Sequence, residues 1–232
     1  VVASAGGRAY VATTTSLSAS WTGVADPGSD VAYTWAIGSA PYGEQERAFT
    51  AAGAAAAGDG ADGVDERGCV VATALGLAPG GTYFVSVVGA NSSAGGQAVR
   101  MSTAVYVDPF PPVAGRVFDG ETEGAAVAFT SATDRLNCSW TGFADALSGV
   151  SEFLVGFGTA PLLADATGGF ATVGGSVRAA SVSASELAAP LVEGTRYHCT
   201  VTAVDFAGNT ATAASAGVVV DTSAPEAGLV FD

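Results

Sequence analysis

The stretch Leu77-Ala-Pro-Gly-Gly-Thr-Tyr83-Phe-Val85-Ser-Val87-Val-Gly-Ala-Asn91-Ser-Ser-Ala-Gly95 decides how the rest of the sequence is interpreted. Every second residue is apolar at Tyr83, Val85 and Val87, which predicts a strand with one buried face. A leucine six residues before the tyrosine, with glycine between them, is typical of a tyrosine corner. In such a corner the phenol hydroxyl bonds to the loop before the strand. The residues from Asn91 to Gly96 are then expected to form the turn that closes it.

The same pattern occurs a second time in the chain. The stretch Leu191–Gly208 repeats it, with Tyr197 in the place of Tyr83. Three further blocks recur in the same order, each 113 to 120 residues after its first occurrence: Ser18–Asp26 with Asn137–Asp145, Gly38–Pro41 with Gly158–Pro161, and Val107–Asp119 with Val220–Asp232. Self-similarity at a nearly fixed period predicts two copies of one domain.

Each copy consists of short alternating segments separated by turn residues. Without a helical period, this pattern predicts an all-β chain of two tandem β-sandwiches. We expect the buried aromatic residues of the two cores to be Trp21, Tyr83, Trp140 and Tyr197. The expected strands are B at Leu17–Trp21 and Leu136–Trp140, C at Tyr33–Ile37 and Phe153–Phe157, F at each tyrosine corner, and G near Ala98–Val107 and Thr210–Val220.

The repeat also predicts the domain limits. Residues 1–108 form the first sandwich, 109–113 a proline-rich joint that stiffens the chain, and 114–225 the second sandwich. Residues 226–232 repeat the sequence of Ala114–Asp119, which opens the second copy, so they are expected to begin a following repeat. The chain therefore has the form of one period of a longer array.

Composition narrows the classes of function. The net charge is −14, which argues against nucleic acid and against anionic membrane surfaces as partners. No apolar run reaches the length of a membrane-spanning helix. The single histidine, His198, alternates with Tyr197 and Cys199 and so should lie on the outer sheet face, without partners for a triad or a metal site. We therefore expect no enzyme activity and no cofactor.

Two sequence motifs resemble those of a known family. Leu77–Gly95 fits nearly all of the motif L-x-P-G-x-x-Y-x-V-x-V-x-A-x-N-x-x-G and, with a tryptophan on strand B, resembles the fibronectin type III family. The phrase W-x-G-F-x-D-x-x-S-G-V at Trp140–Val150 is similar to the diverged, Ig-like version repeated in giant extracellular proteins of algae and protists. One such protein is the axial protein of flagellar hairs, or mastigonemes. The resemblance implies the sandwich fold and a spacer or binding role.

The cysteines suggest an oxidising compartment. Cys138 and Cys199 lie on the predicted core faces of strands B and F, which an immunoglobulin domain joins by a disulfide. Both are absent from the matching positions of the first copy, so we predict a Cys138–Cys199 disulfide rather than two buried thiols. Cys69 is then unpaired. It is either a small buried hydrophobe at the start of a strand or an interchain thiol in an assembly.

Several polar groups suggest modification or cation binding. Asn91 and Asn137 each begin an N-glycosylation sequon, the first in the expected F–G turn and the second facing outward from strand B. Carboxylates at every third position of an Ala- and Gly-rich loop suggest either part of a calcium site or a solvated linker; these are Asp59, Asp62 and Asp65. Aspartates near the joint are expected to make Asx-type turn bonds: Asp108, Asp119, Asp145 and Asp221.

These observations lead to three hypotheses of function. The first is a structural segment of a long extracellular fibre or cell-surface filament, such as a flagellar hair, with further copies and other glycoproteins as partners. The second is an adhesive module that binds a glycan or a protein through the B–C and F–G loops. The third is an accessory domain of a secreted carbohydrate enzyme. The candidate loops carry one aromatic residue, Phe206, which favours the structural hypothesis; they are Asp26–Asp30, Asn91–Gly96, Asp145–Gly149 and Asp205–Asn209.

Overall fold

The chain is all-β and is built as two Ig-like β-sandwiches, which confirms the predicted fold class. The computed structural model describes residues 3–5, 8–22, 31–52, 67–91 and 98–230, and its regular elements there are β-strands. One compact unit comprises Val1–Phe110 with Phe206–Gly208, and the other comprises Pro111–Asp205 with Asn209–Asp232. The finer limits of the repeats stay predictions.

The described residues of the first unit form two sheets. Strands β1, β2, β8, β7, β4 and β5 follow one another in the larger sheet, and β3 pairs with β6 in the smaller one. The pairing of β2 with β8 is parallel, whereas β7 pairs antiparallel with both β4 and β8. The strands are β1 Ala3–Ala5, β2 Arg8–Val11, β3 Leu17–Thr22, β4 Val31–Gly38, β5 Arg47–Ala51, β6 Arg67–Ala72, β7 Thr82–Asn91 and β8 Ala98–Val107.

The second unit repeats this plan, and among the described residues its smaller sheet has one strand more. Its larger sheet has the order β10-β17-β15-β12-β13, with β16 also paired to β15, and its smaller sheet has the order β14-β11-β9. The strands are β9 Arg116–Asp119, β10 Phe129–Thr130, β11 Arg135–Thr141, β12 Val150–Gly158, β13 Ala171–Gly174, β14 Ala179–Ser183, β15 Arg196–Asp205, β16 Thr210–Ala214 and β17 Val218–Val220.

Each core lies between the two sheets of its unit. Side chains alternate along a strand, so every second residue of β7 is buried against Trp21 of β3 and Trp35 of β4. In the second unit, Trp140 of β11 is completely buried and packs edge-to-face on Phe153 of β12, with the ring centroids 5.3 Å apart. The expected core aromatic residues are therefore buried in both copies.

Both tyrosine corners are formed as the sequence predicts. The Tyr83 hydroxyl accepts a hydrogen bond from the Ala78 N–H at 2.8 Å, and the Tyr197 hydroxyl accepts one from the Val192 N–H at 3.1 Å. Each bond ties the loop before strand F to the strand itself. The loop amide is thus satisfied although it packs against the sandwich.

The structure differs from the expected strands in two places. Strand G of the second unit is not continuous, because residues 215–217 separate β16 from β17 and Gly217 has a φ of +89°. The Ser215 N–H instead donates to the Cys199 carbonyl. Asn91 is also not in a turn: it is the last residue of β7, where it pairs with Val31 of β4. Strand β4 is long enough to extend the ladder to this residue.

The turn after strand C is built alike in both units, a feature that the sequence did not reveal. The residue that follows the Gly-(Ser/Thr)-Ala-Pro block has a positive φ, +61° at Tyr42 and +69° at Leu162. Its N–H donates to a hydroxyl on strand F, from Tyr42 to Ser86 at 2.8 Å and from Leu162 to Thr200 at 3.0 Å. The strained backbone is therefore held by a hydrogen bond that it donates to a buried hydroxyl.

We expect Tyr83→Phe to destabilise the first unit by about 0.5–1.5 kcal/mol, because it removes the hydrogen bond that the Ala78 N–H donates to the phenol hydroxyl. Tyr197→Phe should lower the stability of the second unit in the same way. Differential scanning calorimetry of each variant measures the effect. Equal stability of the variants and the wild-type protein would show that the hydroxyl is not needed for the corner.

Candidate functional site

The second unit contains the predicted disulfide. Cys138 of β11 and Cys199 of β15 are bonded, with their Cα atoms 6.2 Å apart, and neither side chain is exposed. The bond joins the two sheets beside Trp140 in the core. The matching residues of the first unit are Ala19 and Val85, which belong to its apolar core. The disulfide therefore cross-links a type of core that, in the first unit, packs with apolar side chains at the same two positions.

The modification candidates lie on strands. The backbone of Asn91 ends β7, and the side chain of this residue is outside the described part of the structure. Asn137 is half-buried on β11, the middle strand of its sheet, and faces away from the core. Cys69 lies on β6 opposite Ser20, and its side chain is likewise not described. Glycosylation and the role of the Cys69 thiol therefore stay predictions.

The first-copy loop candidates fall outside the described residues. These are the acidic positions Asp59, Asp62 and Asp65, the B–C loop Asp26–Asp30, and residues 92–96 of the F–G loop. The two interpretations of the acidic loop, part of a calcium site or a solvated linker, thus stay predictions. The loops of the second unit, in contrast, are described throughout.

Three of the four aspartates near the joint make the expected short-range bonds. Asp145 organises the B–C loop, since its Oδ1 accepts the N–H groups of Leu147, Ser148 and Gly149 at 3.1, 2.7 and 2.7 Å. Asp108 and Asp221 each accept the N–H two residues later, at 3.2 and 3.1 Å. These carboxylates shape turns.

Asp119 is the exception, because its contact is long-range. Its Oδ2 accepts the N–H of Gly217 at 2.7 Å, in the gap between β16 and β17. The side chain is 3% exposed, and this burial raises the pKa of the Asp119 carboxyl, against the opposing hydrogen bonds of Ser215 and Gly217. Asp119 therefore joins β9 of the smaller sheet to the larger sheet.

The structure also brings together two carboxylates that the sequence did not pair. Oxygens of Asp145 and Asp205 lie within 4.8 Å of each other at the loop end of the second unit. Asp205 accepts both the backbone and the side-chain N–H of Asn209, each at 2.8 Å. Each aspartate thus holds its own loop. The signal in the sequence was the position of Asp145 in the B–C loop and of Asp205 at the end of strand F, each followed within four residues by a glycine.

His198 has a structural contact. Its Nδ1 donates to the Ser215 carbonyl at 3.1 Å, and the ring is half-buried beside strand G. That this chain is not an enzyme stays a prediction.

A cavity of about 590 Å³ lies at the start of strand B in the second unit. Its wall is mostly polar, and Asn137 contributes to it. Phe129, whose side chain is 62% exposed, directly precedes the wall residue Thr130. The lining residues are Gly120, Glu121, Val127, Thr130, Ser131, Ala132, Thr133, Asp134, Arg135, Leu136, Asn137 and Val218. Hydroxyl, carboxylate, amide and guanidinium groups make it suited to a polar ligand.

Comparison with known proteins does not assign this chain to a family. No family model matches this sequence, and no curated protein matches it. A similar solved structure is that of SGBP-B from the Bacteroides ovatus mixed-linkage glucan utilization locus, in complex with a mixed-linkage heptasaccharide. The match has 16% identity and a TM-score of 0.23, and it covers 92% of this chain and 42% of that one. At that score the likeness carries no argument about function.

Within the described residues, no helix has the length and apolar character that crossing a bilayer requires.

Removal of the disulfide should destabilise the second unit by about 2–4 kcal/mol, because the bond restrains a long loop of the unfolded chain. The double variant Cys138→Ala with Cys199→Val introduces the residues of the first unit and so provides a matched packing. We expect calorimetry to show a lower melting temperature for this variant. A reducing agent should reproduce the shift in the wild-type protein and leave the variant unchanged; an equal response of both proteins would contradict the prediction.

Asp119 should make the stability of the second unit depend on pH. Since its pKa is raised in the fold, its contribution is fully present below the ordinary value of 3.8 and is lost as the pH rises through the raised value. The free energy of unfolding of the wild-type protein, minus that of Asp119→Asn, should therefore decrease as the pH rises above 3.8. Denaturant titrations measure it, with the exposed Asp134→Asn as control. A difference that grows with pH would refute the assignment.

Proposed function

We propose that this chain is a structural segment of a long extracellular fibre or cell-surface filament, of the flagellar-hair kind, in which it serves as a glycosylated spacer and assembly module. The main support for the proposal is the set of contacts that the repeated motifs make. The tyrosine corner, the strand-B tryptophan and the strand-C turn each contact residues of their own unit. The sequence motifs that the two copies share are therefore the ones that stabilise each sandwich, as expected of a spacer.

The proposed location rests on the disulfide. A bond between two completely buried cysteines persists in secreted and surface proteins and is rare in reducing compartments. The two sequons agree with this location, because N-glycans are added to proteins that enter the secretory route. The partners in this proposal are further copies of the repeat and other glycoproteins of the fibre.

A second candidate function, binding of a glycan, is favoured by the cavity beside strand B. Sugars are bound by hydroxyl, amide and carboxylate groups together with an aromatic face. The cavity wall offers such polar groups, and the exposed Phe129 directly precedes the wall residue Thr130 in the chain. In this alternative the chain is an adhesive module of a surface or secreted protein.

Two measurements separate these functions. An antibody against the chain, visualised by immunogold electron microscopy on the cells that make it, should label fibres at regular intervals if the chain is a spacer. On a glycan array the protein should then give no signal above background. Glycan binding that is lost in Phe129→Ala and kept in Phe170→Ala, another exposed aromatic substitution in the same unit, would instead establish the adhesive function. Label that is confined to the cell interior would refute both.

A further inference from the structure

The inference begins with the sequon Asn137-Cys138-Ser139, whose three residues all lie on β11. An N-glycosylation acceptor is normally a residue of an exposed surface loop. Here the acceptor lies on the middle strand of a sheet, between β14 and β9. The sequence pattern therefore favours modification, whereas the place of the sequon in the fold opposes it.

The hydroxyl of Ser139 is inaccessible in the folded unit. The side chain is 1% exposed, and its Oγ has no hydrogen-bond partner among the described residues. Ser139 pairs with Phe118 of β9 on one side and with Ala179 of β14 on the other. Because a sequon requires serine or threonine at its third position, the modifying enzyme must contact this hydroxyl. The folded unit does not allow that contact.

The backbone of the sequon is also held in place. The Asn137 carbonyl accepts the Gly120 N–H at 2.9 Å, and β11 pairs with β14 over residues 135–139. Cys138 is completely buried and bonded to Cys199 of the larger sheet. An enzyme that binds the sequon as an extended peptide would have to separate these strands and pull the disulfide out of the core.

The side chain of Asn137, in contrast, has room for a sugar. It faces away from the core and lines the cavity of about 590 Å³ at the start of strand B. Cavities of about 300–1,000 Å³ accommodate drug-sized ligands, so a sugar ring attached to the Asn137 amide has space there. Thr133 and Asp134 of the wall are polar partners for its hydroxyl groups. A glycan on Asn137 is therefore compatible with the folded unit, although its attachment is not.

The order of the residues in the chain makes the sequon accessible for a limited time. Cys199 follows Cys138 by 61 residues, so at a synthesis rate of about 5–20 residues per second it is made about 3–12 s later. Strands β12 and β15, which complete the core, also follow β11. Of the two neighbours of β11 only β9 has then been made, and an isolated pair of strands is marginally stable.

We propose that Asn137 is glycosylated while the chain is being made, before β11 enters the sandwich, and that closure of the Cys138–Cys199 disulfide ends this modification. The inference rests on the proposed function, a glycosylated extracellular spacer, and adds when and in which conformation one of its glycans is attached. The two modifications compete for the same three residues.

The chemistry requires a donor and an oxidant of the secretory route. The donor is an oligosaccharide joined to a lipid through pyrophosphate. Nδ2 of Asn137 bonds to C1 of the first sugar and passes one proton to a base of the enzyme; the bond from C1 to the pyrophosphate oxygen breaks, and the lipid pyrophosphate leaves with the electron pair. In the competing step, two thiols lose two electrons and two protons to a disulfide-bonded oxidant by thiol–disulfide exchange.

Two forms of the protein follow from this competition. A molecule that is glycosylated first folds with its own sugar in the cavity beside strand B. A molecule whose disulfide closes first keeps an unmodified Asn137, and its cavity remains open to a free ligand. The fraction of each form is set by the rate of glycan transfer relative to the rate of folding.

The first experiment offers the folded protein to a purified oligosaccharyltransferase with its lipid-linked donor. The substrate is the 232-residue protein, made without glycans and with the Cys138–Cys199 bond verified by mass spectrometry. A synthetic peptide of residues 130–144 is the matched control, because it has the same sequon without the sheet. We expect a glycan on Asn137 of the peptide and none on Asn137 of the protein.

Either departure from this result would overturn the inference. Modification of Asn137 in the folded protein would show that the sheet does not protect the sequon. A peptide that stays unmodified would show that the sequon is not a substrate even when it is extended.

The second experiment measures the glycosylated fraction of Asn137 in protein secreted by cultured eukaryotic cells. Cys199→Val removes the disulfide, leaves the sequon unchanged, and introduces the residue that the first unit has there, Val85. We expect glycopeptide mass spectrometry to show a larger modified fraction in Cys199→Val than in the wild-type protein. Cys69→Ala is the control: it keeps both bonded cysteines, and its modified fraction should equal that of the wild-type protein.

Two results of this experiment would also overturn the inference. Equal fractions in the wild-type protein and in Cys199→Val would show that the disulfide does not compete with the glycan. Absence of a glycan from Asn137 in all three proteins would show that the site is not used. Either result leaves the spacer function in place, because failure of that function is seen separately in the immunogold labelling.

Discussion

Both sandwiches depend on burying the strand-B tryptophan between two sheets. Trp21 and Trp140 each occupy the centre of a core, and neither indole N–H has a hydrogen-bond partner among the described residues. Leaving such a group unpaired costs about 1–3 kcal/mol, whereas apolar burial of a large ring stabilises by a comparable or larger amount. The free energy gained from the apolar contacts of the ring therefore outweighs the cost of its unpaired N–H. This requires sheets that close tightly enough to exclude water from the ring.

The other shared features hold the sheets around that ring. The tyrosine corner ties the loop before strand F, and the hydroxyl of Ser86 or Thr200 holds the strained turn after strand C. Each is a hydrogen bond between a strand-F side chain and the backbone amide of a loop or turn. Such bonds allow loops to lie against the sandwich without unsatisfied amides. They also explain why the corner tyrosine and a strand-F hydroxyl occur in both copies, although most surface residues differ between the copies.

The two units differ mainly in how the smaller sheet is supported. In the second unit a disulfide joins the sheets, and β9 with its buried Asp119 covers the outer edge of strand B. In the first unit Ala19 and Val85 fill the space of the disulfide. The strand-B edge is thus covered by β9 in the second unit, and among the described residues of the first unit β3 pairs with β6.

The sequence by itself determined the all-β class, the repeat, the core aromatic residues and the pairing of Cys138 with Cys199, because these depend on periods of two and on matching positions. Only the tertiary structure decided the break in strand G, the bond from Asp119 to Gly217, the proximity of Asp145 to Asp205 and the positive φ at Tyr42 and Leu162. Each of these joins segments that are far apart in the chain or depends on a backbone angle. A local residue pattern shows which side chains share one face of a strand, but it does not show which strands lie close together in the fold.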